Sequence, residues 1–351
     1  MKITFICDTM DSGGAERVIS SLANSFTNFG HEVSIIMLAK RANCSFYKLS
    51  NKINLLGLTN NLSKEPSRFK KTSLLKKQIL ELKPDVVISF LSYVCIYTWL
   101  ALKSTKIPYF VSERNDPNSR GKVKQFLLNR AFKKAAGCVF QTEDAKAWYK
   151  NISEEKSAVI YNPVNLTYVP KTLTERKKQV LYVGRFSEQK NCKLLVESFL
   201  KFHELHKDFS LKMHGDGPKK DEILKQITNA NATSYIEVLN SSKTWQMDEC
   251  DSSMFVLTSK FEGMPNVLAE ALCLGIPSVS TNCSIGGPKE LKKIFPGLLT
   301  LCDKQDPNEI AKSMEESLSV NPMISKIPDK LGKDYIAKQW IDFIEGIIKR
   351  K

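Results

Sequence analysis

Paired metal ligands are missing from this sequence. Its nine cysteines stand singly, with no Cys-x-x-Cys pair and no pair of histidines beside them, which excludes the common zinc sites. Three of the four histidines, His31, His203 and His206, occur in polar helical or turn contexts and are expected at the surface. The apolar stretch in the first residues is too short for a signal peptide, and none is expected. We therefore expect a reduced, cytoplasmic chain.

Long hydrophobic runs are also scarce. One segment, Val86–Leu102, has 17 residues without a charge, which approaches the length of a membrane span. Pro84 and Asp85 precede it, and Ser89 and Ser92 interrupt it. These residues favour a buried strand over 86–90 followed by a helix from about 93 to 103.

The pattern that is present is an alternation of apolar strands and amphipathic helices. A chain of 351 residues is long enough for two α/β domains. The alternation restarts after Asn162-Pro163 with a strand at Val180–Gly184, which predicts two parallel sheets facing each other across a deep cleft. We expect an N-terminal domain over 1–165, a second domain over 166–332, and a C-terminal helix over 333–351 that crosses back.

Positive charge is concentrated in the first half. Of the formal net charge of +15, the first 165 residues carry 25 Lys and Arg against 13 Asp and Glu. Two segments, Lys64–Lys83 and Arg120–Lys134, mix basic with apolar residues, as amphipathic helices on anionic membranes do. A merely solvated basic face is the alternative. Nucleic acid is disfavoured as a partner because no recognition motif accompanies the charge.

Two glycines open the first helix of the N-terminal domain. Gly13 and Gly14 follow a strand and precede Glu16, and adjacent glycines permit close backbone approach at a helix N-terminus that attracts anions. An ordinary strand-to-helix turn is the alternative. The motif is not Gly-x-Gly-x-x-Gly, so a nucleotide-binding dehydrogenase loses support.

Two basic and two acidic residues are the candidates for chemistry in the second domain. Arg185 and Lys190 are five apart across a turn after a strand, so their charges would converge on one pyrophosphate. Glu262 and Glu270 are eight apart, with Pro265 and Gly275 predicting a helix over about 265–274. One carboxylate then precedes the helix and the other lies within it.

These motifs resemble glycosyltransferase family 4, the retaining transferases of GT-B architecture. Glu262 and Glu270 match the Glu-x7-Glu motif of that family, and Arg185 and Lys190 match its diphosphate-binding pair. The resemblance extends to the turns around Gly13, His214 and Gly287. It implies catalytic roles for Glu262, Arg185 and Lys190. It further implies a donor site made of Gly13, Gly14, Gly184, Gly263, Met264, Pro265, Asn266, Val267 and Glu270.

Within this resemblance, Glu262 and the amides of 263–266 would hold the donor sugar, and Glu270 would hold the ribose hydroxyls. The sequence departs from the family pattern at Arg114, where many members have histidine. The group that steers the acceptor hydroxyl therefore stays open. The candidates on the acceptor side are Glu16, Glu113, Arg114, Asn115 and Asp116.

No Asp-x-Asp motif occurs, so the carboxylate pair that often holds a divalent ion in GT-A transferases is missing. We expect no metal and no cofactor beyond a nucleotide-sugar co-substrate, and front-face attack through an oxocarbenium-like ion pair. By resemblance to a subgroup, the donor would be UDP-galactose or UDP-N-acetylgalactosamine. The acceptor would be a lipid-diphosphate-linked oligosaccharide at the inner face of the cell membrane. A GT-B sugar-nucleotide epimerase and a basic nucleic-acid-binding protein are the alternatives.

Overall fold

The structure of the protein is a computed structural model that describes residues 1–39, 44–60, 66–114, 117, 121–168, 175–320 and 326–350. It divides into two compact units. The first unit comprises Met1–Pro163 together with Asp329–Lys351, and the second comprises Val164–Pro328. Lys64, Asn115, Asp116 and Arg120 lie outside the described residues.

The first unit is built on a sheet of seven parallel strands in the order β3-β2-β1-β4-β5-β6-β7. Nearly every residue of the central strands is buried, because helices cover both faces of a parallel sheet. The strands are β1 (Lys2–Cys7), β2 (Glu32–Met37), β3 (Asn54–Gly57), β4 (Val86–Phe90), β5 (Tyr109–Ser112), β6 (Gly137–Phe140) and β7 (Ser157–Val159).

Among the residues that the structure describes, six α-helices accompany this sheet. Their bounds are α1 (Gly14–Asn28), α2 (Arg68–Leu82), α3 (Ser92–Leu102), α4 (Lys122–Lys134), α5 (Glu143–Trp148) and the C-terminal helix α12 (Lys333–Ile348). Helix α3 packs between α2 and α4, while α1 packs against α12.

The C-terminal helix α12 completes the core of the first unit. The indole ring of Trp340 stacks on the ring of Phe90, with centroids 5.8 Å apart. Ser25 Oγ of α1 donates a hydrogen bond to the Asp334 carboxylate at 2.9 Å. Trp340 is fully buried, whereas Tyr335 is exposed. The last helix thus returns the chain to the unit in which it began.

The second unit repeats the design with six parallel strands in the order β10-β9-β8-β11-β12-β13. Its strands are β8 (Lys177–Val183), β9 (Ser210–His214), β10 (Ile236–Leu239), β11 (Ser252–Leu257), β12 (Ser278–Thr281) and β13 (Leu299–Cys302). Its helices are α6 (Cys192–Leu205), α7 (Lys220–Asn229), α8 (Trp245–Asp248), α9 (Asn266–Cys273), α10 (Gly287–Ile294) and α11 (Pro307–Ser317).

The predicted fold class, two Rossmann-like parallel sheets with a C-terminal helix, is confirmed. Three strands were not predicted, namely β3, β7 and β13. All three are short strands at the edges of the sheets, where one neighbour is missing and a continuous apolar run is not needed. In the described part of the chain, no helix is long and apolar enough to cross a membrane.

The expectation that His203 lies at the surface is wrong. Its ring is buried and stacks on Tyr235, with centroids 3.8 Å apart. The histidine lies on the inner side of α6, where its flat ring covers an aromatic neighbour.

Candidate functional site

The candidate donor site of the second unit begins with two loops at the carboxyl ends of the two central strands of its sheet. Strand β8 ends at Val183 and β11 ends at Leu257, and the two strands are neighbours in the sheet. The strand order reverses at this pair, and such switch points are where parallel α/β sheets bind ligands. The loops 184–191 and 258–265 therefore emerge side by side.

Lys190 and Glu262 form an ion pair between these loops. The distance from Lys190 Nζ to Glu262 Oε1 is 2.6 Å, and the side chains are 17% and 8% exposed. Ser259 Oγ donates to the same carboxylate oxygen at 2.6 Å. Lys190 and Ser259 thus hold the Glu262 carboxylate by two short contacts to the same oxygen. Burial strengthens both hydrogen bonds.

Hydrogen bonds to backbone carbonyl groups fix the two loops to each other. The Lys260 amide donates to the Gln189 carbonyl at 2.8 Å, and Gln189 Nε2 donates to the Phe261 carbonyl at 2.9 Å. Thr258 Oγ1 donates to the carbonyls of Lys190 and Asn191. Lys190 and Glu262 are therefore positioned by the loop backbones as well as by their own contact.

Arg185 lies in the first of these loops, and its side chain is exposed. Its carbonyl accepts a hydrogen bond from Tyr182 Oη at 3.2 Å. Within the described ranges its guanidinium makes no ion pair. The preceding residue, Gly184, donates its amide to the His214 carbonyl at 2.9 Å, and Gly215 packs so closely on the Gly184 carbonyl that a methyl group would collide with it. The glycine-rich turn after β9 thus supports the loop that carries Arg185.

The segment 263–267 leads into helix α9. Gly263, Met264 and Pro265 are buried, and the helix starts at Asn266 and includes Val267. Gly287, the first residue of α10, faces the Gly263 carbonyl so closely that a side chain would overlap it. The residue before it, Gly286, has a φ of 74°, which glycine adopts without strain. The pair of glycines thus lets the start of α10 touch the loop before α9.

Glu270 projects from α9 and is 1% exposed. Its Oε2 accepts a hydrogen bond from Gln246 Nε2 at 3.0 Å. Glu262 and Glu270 therefore have different partners, a cation and a hydroxyl for the first and an amide for the second. Sequence reasoning did not single out Gln246 or Ser259, because a lone glutamine or serine carries no motif.

In the first unit, the loop after β1 leads to Gly13 and Gly14 at the start of α1. Glu16, in the first turn, folds its carboxylate back over Gly13, where a methyl group would meet it. Burial raises the pKa of Glu16, and the nearby charges of Asp8 and Asp11 raise it further. The Glu16 carboxyl group thus lies in the first turn of α1, at the helix end where an ionised carboxylate is favoured, while burial and the two aspartates oppose its ionisation.

Glu113 and Arg114 follow β5 and are both buried. Tyr149 Oη donates to Glu113 Oε2 at 2.7 Å. The Arg114 guanidinium lies 4.3 Å above the centroid of the Phe90 ring and donates through Nη1 to Asn162 Oδ1. Burial lowers the pKa of Arg114 to about 9, so the side chain stays charged at neutral pH. These two residues belong to a packed polar layer at the end of the strands.

Two glycosyltransferase family models match consecutive parts of the chain. Glycosyltransferase Family 4 matches residues 12–168, and Glycosyl transferases group 1 matches residues 168–333. The chain belongs to glycosyltransferase family 4. It is therefore a glycosyltransferase of the hexosyltransferase type, and its fold is GT-B.

This family 4 chain is similar to two bacterial glycosyltransferases. It is 29% identical to the Campylobacter jejuni enzyme GalNAc-alpha-(1->4)-GalNAc-alpha-(1->3)-diNAcBac-PP-undecaprenol alpha-1,4-N-acetyl-D-galactosaminyltransferase, over 90% of this chain and 88% of that one. It is 26% identical to the lipopolysaccharide 1,6-galactosyltransferase of Salmonella typhimurium, over 85% of this chain and 84% of that one.

Solved structures of the same fold include the apo form of the lipopolysaccharide outer core galactosyltransferase WaaB. It aligns with a TM-score of 0.72 at 21% identity over 100% of both chains. HepE of Anabaena in complex with UDP and glucose aligns with a TM-score of 0.74 at 16% identity, over 100% of this family 4 chain and 98% of HepE.

Proposed function

We propose that the chain transfers a hexose or N-acetylhexosamine from a UDP-sugar, with retention of configuration and without a metal ion, to a lipid-linked glycan of a bacterial surface polysaccharide. The Lys190–Glu262 ion pair at the switch point of the second sheet carries the proposal. Galactose or N-acetylgalactosamine is the proposed sugar, since the similar curated enzymes are named for these.

Arg185 and Lys190 supply positive charge for the departing diphosphate. Both lie in the loop after β8, and Arg185 has no competing carboxylate partner among the described residues. A guanidinium and an ammonium at one pyrophosphate stabilise the charge that develops as the sugar bond breaks. Two protein cations would thus take the part of a metal ion.

Glu262 is proposed to hold hydroxyls of the donor sugar rather than to attack its anomeric carbon. Its Oε1 is occupied by Lys190 and Ser259, and a carboxylate held in this way is a weaker nucleophile. This favours front-face attack by the acceptor hydroxyl through an oxocarbenium-like ion pair. Glu270, further along α9, is proposed to accept the ribose hydroxyls.

The test is nucleoside diphosphate release from a panel of nucleotide sugars with EDTA present. One donor should be consumed by the wild type, and Lys190→Ala, Glu262→Ala and Glu270→Ala should each lose most of the activity. Lys193→Ala is the matched control, since Lys193 lies on α6 nearby but is 63% exposed. Release that does not depend on an acceptor would favour the epimerase, and a trapped glycosyl-enzyme would exclude front-face attack.

The same proposal assigns an anionic membrane surface to the first unit, with the chain bound peripherally at the inner face. Helix α4 supports it, because its outer face combines apolar and basic side chains. Val123 is 76% exposed and Phe126 is 56% exposed, and the Arg130 guanidinium lies 4.7 Å from the centre of the Phe126 ring. Lys122, Lys124, Lys133 and Lys134 are exposed on the same helix, which contains no acidic residue.

Exposed apolar side chains surrounded by cations are what an interfacial helix presents to anionic lipids. Binding to phosphatidylglycerol-containing vesicles and to pure phosphatidylcholine vesicles tests this assignment. Wild type should sediment with the anionic vesicles, and Val123→Ser with Phe126→Ser should weaken this binding. Leu205→Ser is the control, because Leu205 is 73% exposed on the second unit. Equal loss in the control, or no preference for the anionic lipid, would contradict the assignment.

A further inference from the structure

Gln246 connects the start of the second unit to the carboxylate of Glu270. It lies in α8 and is 2% exposed. Its Oε1 accepts hydrogen bonds from the Thr167 amide at 2.7 Å and from Thr167 Oγ1 at 2.9 Å. Its Nε2 donates to Glu270 Oε2 at 3.0 Å and to the Asn165 carbonyl at 3.4 Å.

The side-chain amide of a glutamine can accept two hydrogen bonds and donate two. All four are made here, so Gln246 has a single orientation. The Thr167 amide can only donate, so the atom that faces it must be the carbonyl oxygen of Gln246. The Nε2 group must then face Glu270.

We infer that Gln246 is a positioning residue that holds Glu270 in the conformation required to bind the ribose of the donor, and that it fixes this carboxylate to residues 165–167 at the start of the second unit. The inference rests on the proposed role of Glu270. A hydrogen bond from an amide to a buried carboxylate is charge-assisted, so it restricts the side-chain rotation of Glu270 before the donor arrives.

Gln246 also connects Glu270 to the chain near the unit boundary. The N-terminal segment of the first unit ends at Pro163, and Thr167 follows four residues later. Since one amide contacts both Thr167 and Glu270, a change at Thr167 reaches the donor site through Gln246. Thr167→Val removes the Oγ1 hydrogen bond and keeps the backbone one, which makes it a milder version of Gln246→Leu.

The experiment measures donor KM and kcat for a UDP-sugar and for the same donor lacking the ribose 2′-hydroxyl. Gln246→Leu should raise the KM of the ribose donor about tenfold, the effect of one charge-assisted hydrogen bond, with kcat nearly unchanged. The preference for the ribose donor should fall in parallel. Thr167→Val should shift both values in the same direction by a smaller factor.

Gln246→Glu gives an independent readout through pH. Two carboxylates would then lie side by side, and each disfavours ionisation of the other. Donor KM should therefore worsen more steeply with rising pH in this variant than in the wild type. Glu270→Ala combined with Gln246→Leu should have little more effect than Glu270→Ala alone, because coupled residues are not additive.

The outcomes separate the inference from the function on which it rests. If Glu270→Ala loses the ribose preference but Gln246→Leu keeps it, with only a lower melting temperature, Gln246 is merely structural and the inference is overturned. If Glu270→Ala itself keeps the preference, the ribose role fails and the inference fails with it. Additive effects of the two substitutions would also contradict it.

Discussion

Lys190 Nζ and Glu262 Oε1 lie 2.6 Å apart across two loops that are adjacent because β8 and β11 are adjacent. Ser259 adds a hydroxyl to the same oxygen. The cation proposed for the diphosphate and the carboxylate proposed for the sugar are thus arranged together before any donor binds. Such preorganisation avoids rearrangement of charges during the reaction.

Glu262→Gln should lower kcat by about 10² to 10³, the range found when one group that stabilises a transition state is removed. The glutamine keeps the shape of the side chain but loses the charge that holds Lys190. Ser259→Ala should have a smaller effect, since the Lys190 contact remains. Steady-state turnover checks both, and equal activity of Glu262→Gln and wild type would refute the role of this carboxylate.

Gly287→Ala should disturb the loop before α9. The added methyl group would collide with the Gly263 carbonyl, and packed backbone yields little space. We expect a lower melting temperature and a higher donor KM. Gly297→Ala is the matched control in the same unit, because no atom lies within 4 Å of the position of its methyl group. Equal behaviour of the two variants would show that the contact is unimportant.

Glu249 should make the stability of the protein depend on pH. Its side chain is 4% exposed, with His214 Nε2 at 2.9 Å and Lys212 Nζ at 3.2 Å from Oε1. Burial alone would raise the pKa of Glu249, but hydrogen bonds from His214, Gln179 and Lys212 outweigh it and hold the pKa at about 2, below its ordinary value of 4.5.

Since the folded pKa is lower than the unfolded one, ionised Glu249 stabilises the fold above pH 4.5, and this contribution disappears as the pH falls towards 2. In the wild type, the free energy of unfolding should therefore fall as the pH is lowered from 4.5 to 2. In Glu249→Gln the slope of this fall should be smaller by up to about 1.4 kcal/mol per pH unit. Glu237→Gln is the control, since Glu237 is 60% exposed and lies 3.9 Å from the same lysine. Parallel curves for Glu249→Gln and wild type would contradict the prediction.

Arg114→Met should leave the free energy of unfolding nearly unchanged, because relief from burying an incompletely hydrogen-bonded guanidinium offsets the loss of its charge beside the buried Glu113. Nε and Nη2 of Arg114 have no hydrogen-bond partner among the described residues, while methionine would still cover Phe90. Denaturant unfolding measures this.

Asn162→Ala should instead destabilise the fold, since Asn162 Oδ1 accepts from both Arg114 and Gln141. Removing it leaves two buried donors without that acceptor. A marked loss of stability in Arg114→Met would mean that the ring contact outweighs the burial of the charge.

Much of the fold was predictable because the central strands are continuous apolar runs. The strand predicted over 86–90 has the same bounds as β4, and the uncharged segment after Pro84 divides into β4 and α3. The edge strands β3, β7 and β13 were not predicted, since a strand with one neighbour and partial exposure has no distinct apolar pattern.

The sequence by itself determined the two parallel-sheet units and the family motifs. It also placed Glu262 before a helix and Glu270 within it. These features depend on strand periodicity and on glycine and proline, which act on the neighbouring residues of the chain. Only the tertiary structure decided which side chains meet. Lys190 and Glu262 are 72 residues apart, and Thr167, Gln246 and Glu270 come from three separate segments. Such contacts depend on strand order and on burial, which no local pattern encodes. For the same reason, the sequence predicted neither the burial of His203 nor the hydrogen bond between Gln246 and Glu270.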